Sequence, residues 1–169
     1  MPKTLKKIIA GSSLVFSLGI SPLVTSQESN QSEQMVEVLI EQANQGSVEA
    51  QFLLGWFYFT GNDVRQDYAK AKEWFEKAAA QGDAEAQFNL GVMYGNGEGV
   101  RQDYVKAREW YEKAAAQGHA SAQLNLGTLY YHGEGVRQDY VKAREWFGKA
   151  CDNGIQVGCD GYRALNNRR

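Results

Sequence analysis

The sequence predicts an all-α fold, an α-solenoid of helix–turn–helix repeats with a 36-residue period. The stretch Gly97–Trp110 reads GEGVRQDYVKAREW, and the same fourteen residues return at Gly133–Trp146. A looser copy lies 36 residues earlier, where Val64–Tyr68 reads VRQDY and Trp74 matches the tryptophan. Repetition at a fixed period of about 20–50 residues is typical of repeat arrays, in which stacked helix pairs bury a shared core.

The repeats follow one another without insertions, and each one divides into two helices. In the middle repeat, a glycine-rich break at Gly95–Gly99 separates the two apolar helical patterns. Asp103 is placed to cap the second helix by accepting a backbone N–H, and Gly118 ends that helix. Glu109 and Lys113, four residues apart, are expected to form an ion pair on a solvated face. The predicted repeats are 47–82, 83–118 and 119–154.

Half repeats are predicted on both sides of the array. Residues 27–46 read as a polar lead-in followed by a helix, because apolar residues recur at helical spacing from Met35 to Ala43. Residues 155–169 follow the pattern only loosely, and we interpret them as a C-terminal capping half repeat. Three full repeats are about the number that a stacked core requires.

Residues 1–26 have the three parts of a secretory signal peptide. Three lysines within Lys3–Lys7 precede the mostly apolar run Ile8–Ile20, and Val24 and Ser26 fit the small-residue pattern of a cleavage site. The run is shorter than the ~20 residues of a membrane span, so we expect cleavage after Ser26 and no stable membrane span afterwards. The segment contains three lysines and no acidic residue, so its loss changes the formal net charge from −2 to −5.

The sequence contains two cysteines, Cys151 and Cys159. An even cysteine count in an exported chain favours a disulfide, whereas in a cytosolic chain two small buried side chains are the better interpretation. The predicted signal peptide favours the disulfide.

No catalytic, metal or nucleic-acid site is predicted. The only histidines, His119 and His132, fall short of the three or four ligands of a metal site, and we expect them to be solvated. After residue 26 the chain lacks S-x-x-K, and it contains neither H-E-x-x-H nor G-x-S-x-G. The slight acidic excess argues against nucleic-acid binding. We therefore expect no enzyme activity and no cofactor.

The repeats resemble the Sel1-like repeat family, a relative of the tetratricopeptide repeats. The signature spans nearly all of 47–154 three times: in the middle repeat it is Ala86-Gln87-x-Asn89-Leu90-Gly91-x-x-Tyr94, then Gly97-x-Gly99-Val100, Asp103-Tyr104, Ala107, Trp110, Lys113-Ala114-Ala115 and Gly118. The Cys151–Cys159 spacing is similar to the secreted cysteine-rich branch, in which a cysteine near a helix end bridges to one in the next helix. The resemblance implies an adaptor for proteins or peptides without chemistry of its own, although some members of that branch carry a penicillin-binding or β-lactamase label.

By the same resemblance, partners bind a concave groove lined by the first helices of the repeats. Trp56 and Tyr131 are the favoured contacts, because aromatic residues are enriched at binding hot spots. The Asn89 and Asn125 amides are expected to be available to a peptide backbone. For Phe52, Phe88 and Leu124, packing between adjacent hairpins is the alternative to contact with a partner. The groove contains no lysine or arginine, which argues against an acidic ligand. The sixteen positions of this predicted groove are Glu49, Phe52, Trp56, Phe59, Thr60, Glu85, Phe88, Asn89, Val92, Asn96, Ser121, Leu124, Asn125, Thr128, Tyr131 and His132.

Three functions are compatible with these observations. The leading one is a monomeric, exported interaction module in the periplasm or the medium of a bacterium, a setting inferred from the signal peptide and the family branch. A periplasmic immunity protein that neutralises a toxin is the second. A β-lactam-binding or β-lactamase-like protein is the third. The sequence does not identify the partner.

Overall fold

The computed structural model describes residues 34–167, in which every regular element is a helix. The predicted signal peptide and residues 27–33 of the lead-in lie outside this range. The helices are α1 (34–44), α2 (Val48–Thr60), α3 (Tyr68–Ala80), α4 (Ala84–Asn96), α5 (Tyr104–Ala116), α6 (Ala120–His132), α7 (Tyr140–Asp152) and α8 (Gln156–Asn166).

The predicted period is confirmed by the helix boundaries. The first helices α2, α4, α6 and α8 begin 36 residues apart, and so do the second helices α3, α5 and α7. Each helix from α2 onward packs against the next one along the chain. The protein is therefore an all-α solenoid of helix pairs, as the repeated sequence predicts.

The helix ends follow the turn residues of the repeat. Asp103 caps α5, where its Oδ1 accepts from the backbone N–H groups of Val105 and Lys106 at 3.1 Å each, and Asp67 and Asp139 cap α3 and α7. The predicted glycine break lies further along than expected. Gly95 is still helical, and α4 ends at Asn96 before Gly97, which adopts the left-handed conformation at φ 76°.

Small residues let the helices approach closely within and between the pairs. Gly91 is buried, and a Cβ at this position would overlap the ring of Tyr111 on the second helix of the same repeat. Between repeats, Gly99 (φ 68°) lies against Tyr68, and Gly135 likewise lies against Tyr104. In the first repeat the equivalent residue is Asp63, which adopts φ 61°, a conformation that aspartate tolerates better than most residues.

The lysine of the predicted Glu109–Lys113 ion pair instead makes a cation–π contact, and the other second helices show the same contact. Lys113 Nζ lies 3.9 Å from the centroid of the Trp110 ring, and Lys77 and Lys149 cover Trp74 and Trp146 in the same way. An ammonium group over an indole face gains from the ring quadrupole while its stem covers apolar surface. The i,i+4 ion pairs of these helices lie elsewhere, for example Arg108–Glu112 at 3.0 Å.

A buried glutamine connects each repeat to the one before it. Gln87 is 6% exposed, and its Nε2 donates to the carbonyl oxygen of Ala79, at the end of the preceding repeat, at 3.3 Å. Its Oε1 accepts from Gln117 Nε2 at 2.9 Å, and Gln117 also donates to the Gly82 carbonyl. Gln51 and Gln123 make the equivalent contacts in their own repeats. We refer to these linked side chains as the glutamine ladder.

The predicted disulfide is confirmed. Cys151 and Cys159 are bonded, with their Cα atoms 4.5 Å apart, and the bond joins the end of α7 to α8. Their positions correspond to Ala115 and Gln123 at the preceding repeat junction, which are connected there by the ladder hydrogen bond. The disulfide therefore occupies the place of a ladder hydrogen bond at the last junction.

Removal of this disulfide should lower the free energy of unfolding by about 2–3 kcal/mol, the chain-entropy value for so short a loop. We expect the double variant Cys151→Ala/Cys159→Gln, which restores the repeat residues, to be about 1 kcal/mol more stable than Cys151→Ala/Cys159→Ala, because glutamine regains the hydrogen bond. Urea unfolding of the three proteins without reductant measures both differences.

Two free thiols in the unreduced, denatured parent protein would contradict the disulfide. Equal stability of the two double variants would contradict the equivalence of the bridge and the ladder bond.

Candidate partner-binding face

The sixteen positions of the predicted groove all lie on the first helices α2, α4 and α6, but they differ widely in exposure. Some are exposed, others are half-buried, and Asn89 is buried. The structure therefore separates side chains that a partner can reach from side chains that hold the repeats together.

Trp56 is the exposed aromatic residue of α2. Its side chain is 39% exposed, and its ring stacks on Phe59 with the centroids 6.1 Å apart. Phe59 lies deeper, with its ring centroid 5.6 Å from Tyr68 and 6.2 Å from the buried Phe75. Trp56 is thus the outermost ring of an aromatic group that is anchored in the core, so it is presented to solvent on a rigid support.

A second aromatic group lies at the end of α6. The ring of Tyr131 is edge-on to His132 at 4.9 Å and to Tyr140 of α7 at 5.4 Å between centroids. His132 is exposed, whereas Tyr131 is half-buried. The two favoured contact residues, Trp56 and Tyr131, therefore belong to separate aromatic groups on the first and third repeats.

Phe52, Phe88 and Leu124, for which packing between hairpins was the alternative, all contact core side chains. Phe52 lies 6.0 Å from Phe75 between ring centroids. Phe88 lies 5.9 Å from Tyr111 and stacks on His119 at 4.5 Å. Leu124 packs against the core group that contains Phe147. All three side chains therefore pack against the core, and Phe88 does so across a repeat boundary.

The two asparagines that were expected to bind a peptide are used internally. Asn89 is 6% exposed, and its Nδ2 donates to the Glu85 carbonyl at 2.8 Å. Asn125 is hydrogen-bonded to the hydroxyl of Tyr111. The expectation that both amides are available to a partner is wrong for the buried Asn89, because its donor group is satisfied within its own helix.

Two hydroxyl groups of the set also bond to their own helices. Thr60 Oγ1 donates to the Trp56 carbonyl at 2.9 Å, and Thr128 Oγ1 donates to the Leu124 carbonyl at 3.1 Å. Glu49 and Asn96, in contrast, are exposed. The polar groups most accessible to a partner are thus at the ends of the first helices.

His119 plays a structural role that the sequence analysis missed. Its Nδ1 accepts from the Ala122 backbone N–H at 3.2 Å and so caps α6, while its Nε2 lies 3.3 Å from a carboxylate oxygen of Glu85. The side chain is only 12% exposed, so the expectation of a solvated histidine is wrong. Its position in the repeat is the available signal, because the equivalent residues are the capping Ser47 and Asp83.

Within residues 34–167, His, Cys, Asp and Glu side chains form no group of three that would hold a metal ion. None of the helices in that range has both the length and the apolar run that crossing a bilayer requires.

The Tyr111 hydroxyl is the strongly perturbed titrating group between the second and third repeats. The pKa of Tyr111 is raised from its ordinary value of 10 to about 12, chiefly by burial; the hydrogen bond from Asn125 opposes the shift, and the nearby Glu98 carboxylate adds to it. The neutral phenol is therefore the form that the folded protein favours.

The comparisons with known proteins agree with this architecture. The Sel1 repeat family matches residues 48–83, 84–119 and 120–155, more than half of the chain. Comparison with curated protein sequences gives no match.

Among solved structures, a protective antigen of uropathogenic Escherichia coli with an SLR fold has a TM-score of 0.71 and 44% identity over 73% of this chain, which spans 26% of that antigen. A Sel1 repeat protein from Oxalobacter formigenes has a TM-score of 0.70 and 37% identity over 78% of this chain and 98% of its own. Helicobacter pylori cysteine rich protein B shares the fold, with a TM-score of 0.61 and 22% identity over 78% of this chain and 95% of its own.

The stability of the protein should fall as the pH rises from 10 to 12, because the unfolded chain ionises Tyr111 near pH 10 and the folded protein does not. A pKa difference of two units corresponds to about 2–3 kcal/mol. Tyr111→Phe, which introduces the residue found at positions 75 and 147, should lack this contribution. Urea unfolding of both proteins from pH 9 to pH 12 measures the difference.

A stability difference between the parent and Tyr111→Phe that stays constant over this range would contradict the assignment. Other groups titrate equally in both proteins, so the comparison isolates Tyr111.

Proposed function

The chain belongs to the Sel1 repeat family, and from this we propose that it is an exported bacterial module that binds a protein or peptide through the exposed side chains of its first helices. Sel1 repeats generally serve as scaffolds for protein interactions. To this general role we add two specific points, the export of the protein and the face through which it binds its partner.

The exposure of Trp56 carries the proposal for the binding face. Its ring is 39% exposed although it is supported by Phe59, and the equivalent positions in the next two repeats hold Val92 and Thr128. The repeat does not require an aromatic residue at this position, so packing alone does not explain the tryptophan. A large, rigid and partly apolar side chain is the kind that contributes most at interfaces.

Charge supports a partner that is not strongly acidic at this face. The predicted groove contains Glu49 and Glu85 but no lysine or arginine. Like charges across an interface are unfavourable, whereas a neutral or basic segment suits this surface.

Export is proposed on two independent features of the chain. The first is the tripartite pattern of residues 1–26, and the second is the disulfide between Cys151 and Cys159. Disulfides persist in the periplasm and outside the cell, whereas the cytosol keeps thiols reduced. A scaffold with this location would act on partners in the bacterial envelope or the medium.

Export predicts that the mature protein begins at Gln27. Intact-mass analysis of the protein recovered from the periplasm or the medium checks this expectation. A Ser26→Phe variant should retain residues 1–26, because a bulky residue blocks the cleavage position. A parent protein that keeps residues 1–26 in the exported fraction, or that remains in the cytoplasm, would contradict the proposal.

The binding face predicts that Trp56→Ala and Tyr131→Ala each weaken partner capture by at least about tenfold, or about 1.4 kcal/mol. The assay is a pull-down from envelope extract with the mature protein, in which the captured protein is quantified over a series of bait concentrations. Val105→Ala is the control, since Val105 is an apolar residue on a second helix and 46% exposed.

Circular dichroism should show unchanged helicity for all three variants, because none of these side chains is fully buried. Unchanged capture by Trp56→Ala and Tyr131→Ala together with reduced capture by Val105→Ala would place the binding surface on the second helices instead.

A further inference from the structure

A row of similar clefts lies along the edge of the array where the first helix of each repeat turns into the second. Two of these clefts enclose about 680 Å³ and 540 Å³ and are lined by residues that correspond one for one across 36 positions. Their linings are Tyr58, Val64, Arg65, Gln66, Asp67 and Lys70 in the first repeat and Tyr94, Val100, Arg101, Gln102, Asp103 and Lys106 in the second.

The third repeat places the same residue types in the same arrangement. Lys142 Nζ lies 5.2 Å from the centroid of the Tyr130 ring, compared with 5.2 Å for Lys106 over Tyr94 in the second repeat. Gln138 bonds to the Tyr131 carbonyl at 2.8 Å, as Gln102 bonds to the Gly95 carbonyl at 2.7 Å. The backbone of the turn is therefore held in the same way, and the sequence VRQDYVKA supplies an equivalent third site.

Each cleft contains one guanidinium group without an anionic partner. Arg65, Arg101 and Arg137 are exposed, and none of them forms an ion pair with another side chain in the part of the chain that the structure describes. The helix N-terminus behind each cleft is already occupied by its capping aspartate. The arginine is therefore the group in each cleft that is free to bind a ligand.

The charges and apolar groups of the clefts define what they can hold. Each cleft combines an arginine, a lysine and an aspartate, so its net charge is about +1, and a valine and a tyrosine ring form its apolar wall. The aspartate lies close to the cations, with Asp103 Oδ2 3.9 Å from Lys106 Nζ. A densely charged polymer would be repelled by the aspartates, whereas separated carboxylates can each reach an arginine in bidentate geometry.

From this arrangement we propose that the row of clefts binds an acidic peptide segment of a protein partner, with carboxylate side chains spaced by apolar residues. One carboxylate pairs with Arg65, Arg101 or Arg137, and the intervening side chains contact the valine and tyrosine walls. The residues that line the clefts are not among the sixteen groove positions, which include no lysine or arginine, so a single chain offers two sets of side chains of different chemistry. Three weak sites in a row gain affinity because the later contacts are intramolecular.

Fluorescence anisotropy with a labelled peptide of about 15 residues, built from repeated Glu-Ala-Val units, tests the proposal. We expect salt-sensitive binding of the mature protein that disappears at about 0.3 M salt, and no binding of the matched Gln-Ala-Val peptide. The triple variant Arg65→Gln/Arg101→Gln/Arg137→Gln should bind the acidic peptide at least about tenfold more weakly.

The control variant Lys77→Gln/Lys113→Gln/Lys149→Gln removes the same number of positive charges from exposed lysines that cover the tryptophans, and it should change the affinity by less than about twofold. Equal weakening by both triple variants would overturn the proposal, because it would indicate attraction by total charge alone. Absence of peptide binding would also overturn it, as would binding of a sulfated polysaccharide in preference to the acidic peptide.

Discussion

The array depends on buried amide side chains that have to be hydrogen-bonded. Gln87 is almost inaccessible to water, yet its Nε2 and its Oε1 both find partners, one in the preceding repeat and one in its own. A buried amide without partners costs about 1–3 kcal/mol, so a packing that displaced one helix along another would leave at least one of these groups unpaired. Alanine and glycine contacts allow many close helix packings, and the glutamine ladder selects one of them.

At the last junction, between α7 and α8, a covalent bond fixes the packing of the two helices. Cys151 and Cys159 stand where the preceding junction has Ala115 and Gln123, and the disulfide connects the same two positions of the repeat. Just before this junction, within the third repeat, the ladder is still present, because Asn153 Nδ2 donates to Gln123 Oε1 at 2.8 Å. Beyond this point, α8 leaves Val157 65% exposed and Tyr162 41% exposed. A covalent link is therefore found at a terminal helix that leaves large apolar side chains exposed.

Structural features that recur in every repeat are mostly predictable from the sequence, whereas the role of a residue type found in one repeat is not. The 36-residue period, the helix pairs and the caps such as Asp103 follow from the sequence, because a residue that recurs at equal spacing performs the same task in each copy. The role of His119 does not follow, because a histidine at a capping position is unusual and its ring contact with Phe88 is a tertiary contact. Lys113 is the exception among the repeated residues, because its spacing suggests a pair with Glu109, whereas in all three repeats the equivalent lysine covers a tryptophan ring.

Repetition and variation along the chain separate two kinds of surface. The clefts repeat the same charges in every copy, and a surface of identical sites suits a ligand whose own groups recur. The first helices instead change from Trp56 to Val92 to Thr128 at one position, and a surface that differs in each repeat suits one partner with one sequence. Asn89 shows how the core limits this variation. Its side chain is buried and donates a hydrogen bond to the Glu85 carbonyl of its own helix, so it is not available to a partner. The positions free to vary are those that neither the ladder nor the aromatic interfaces require, and Trp56 is such a position.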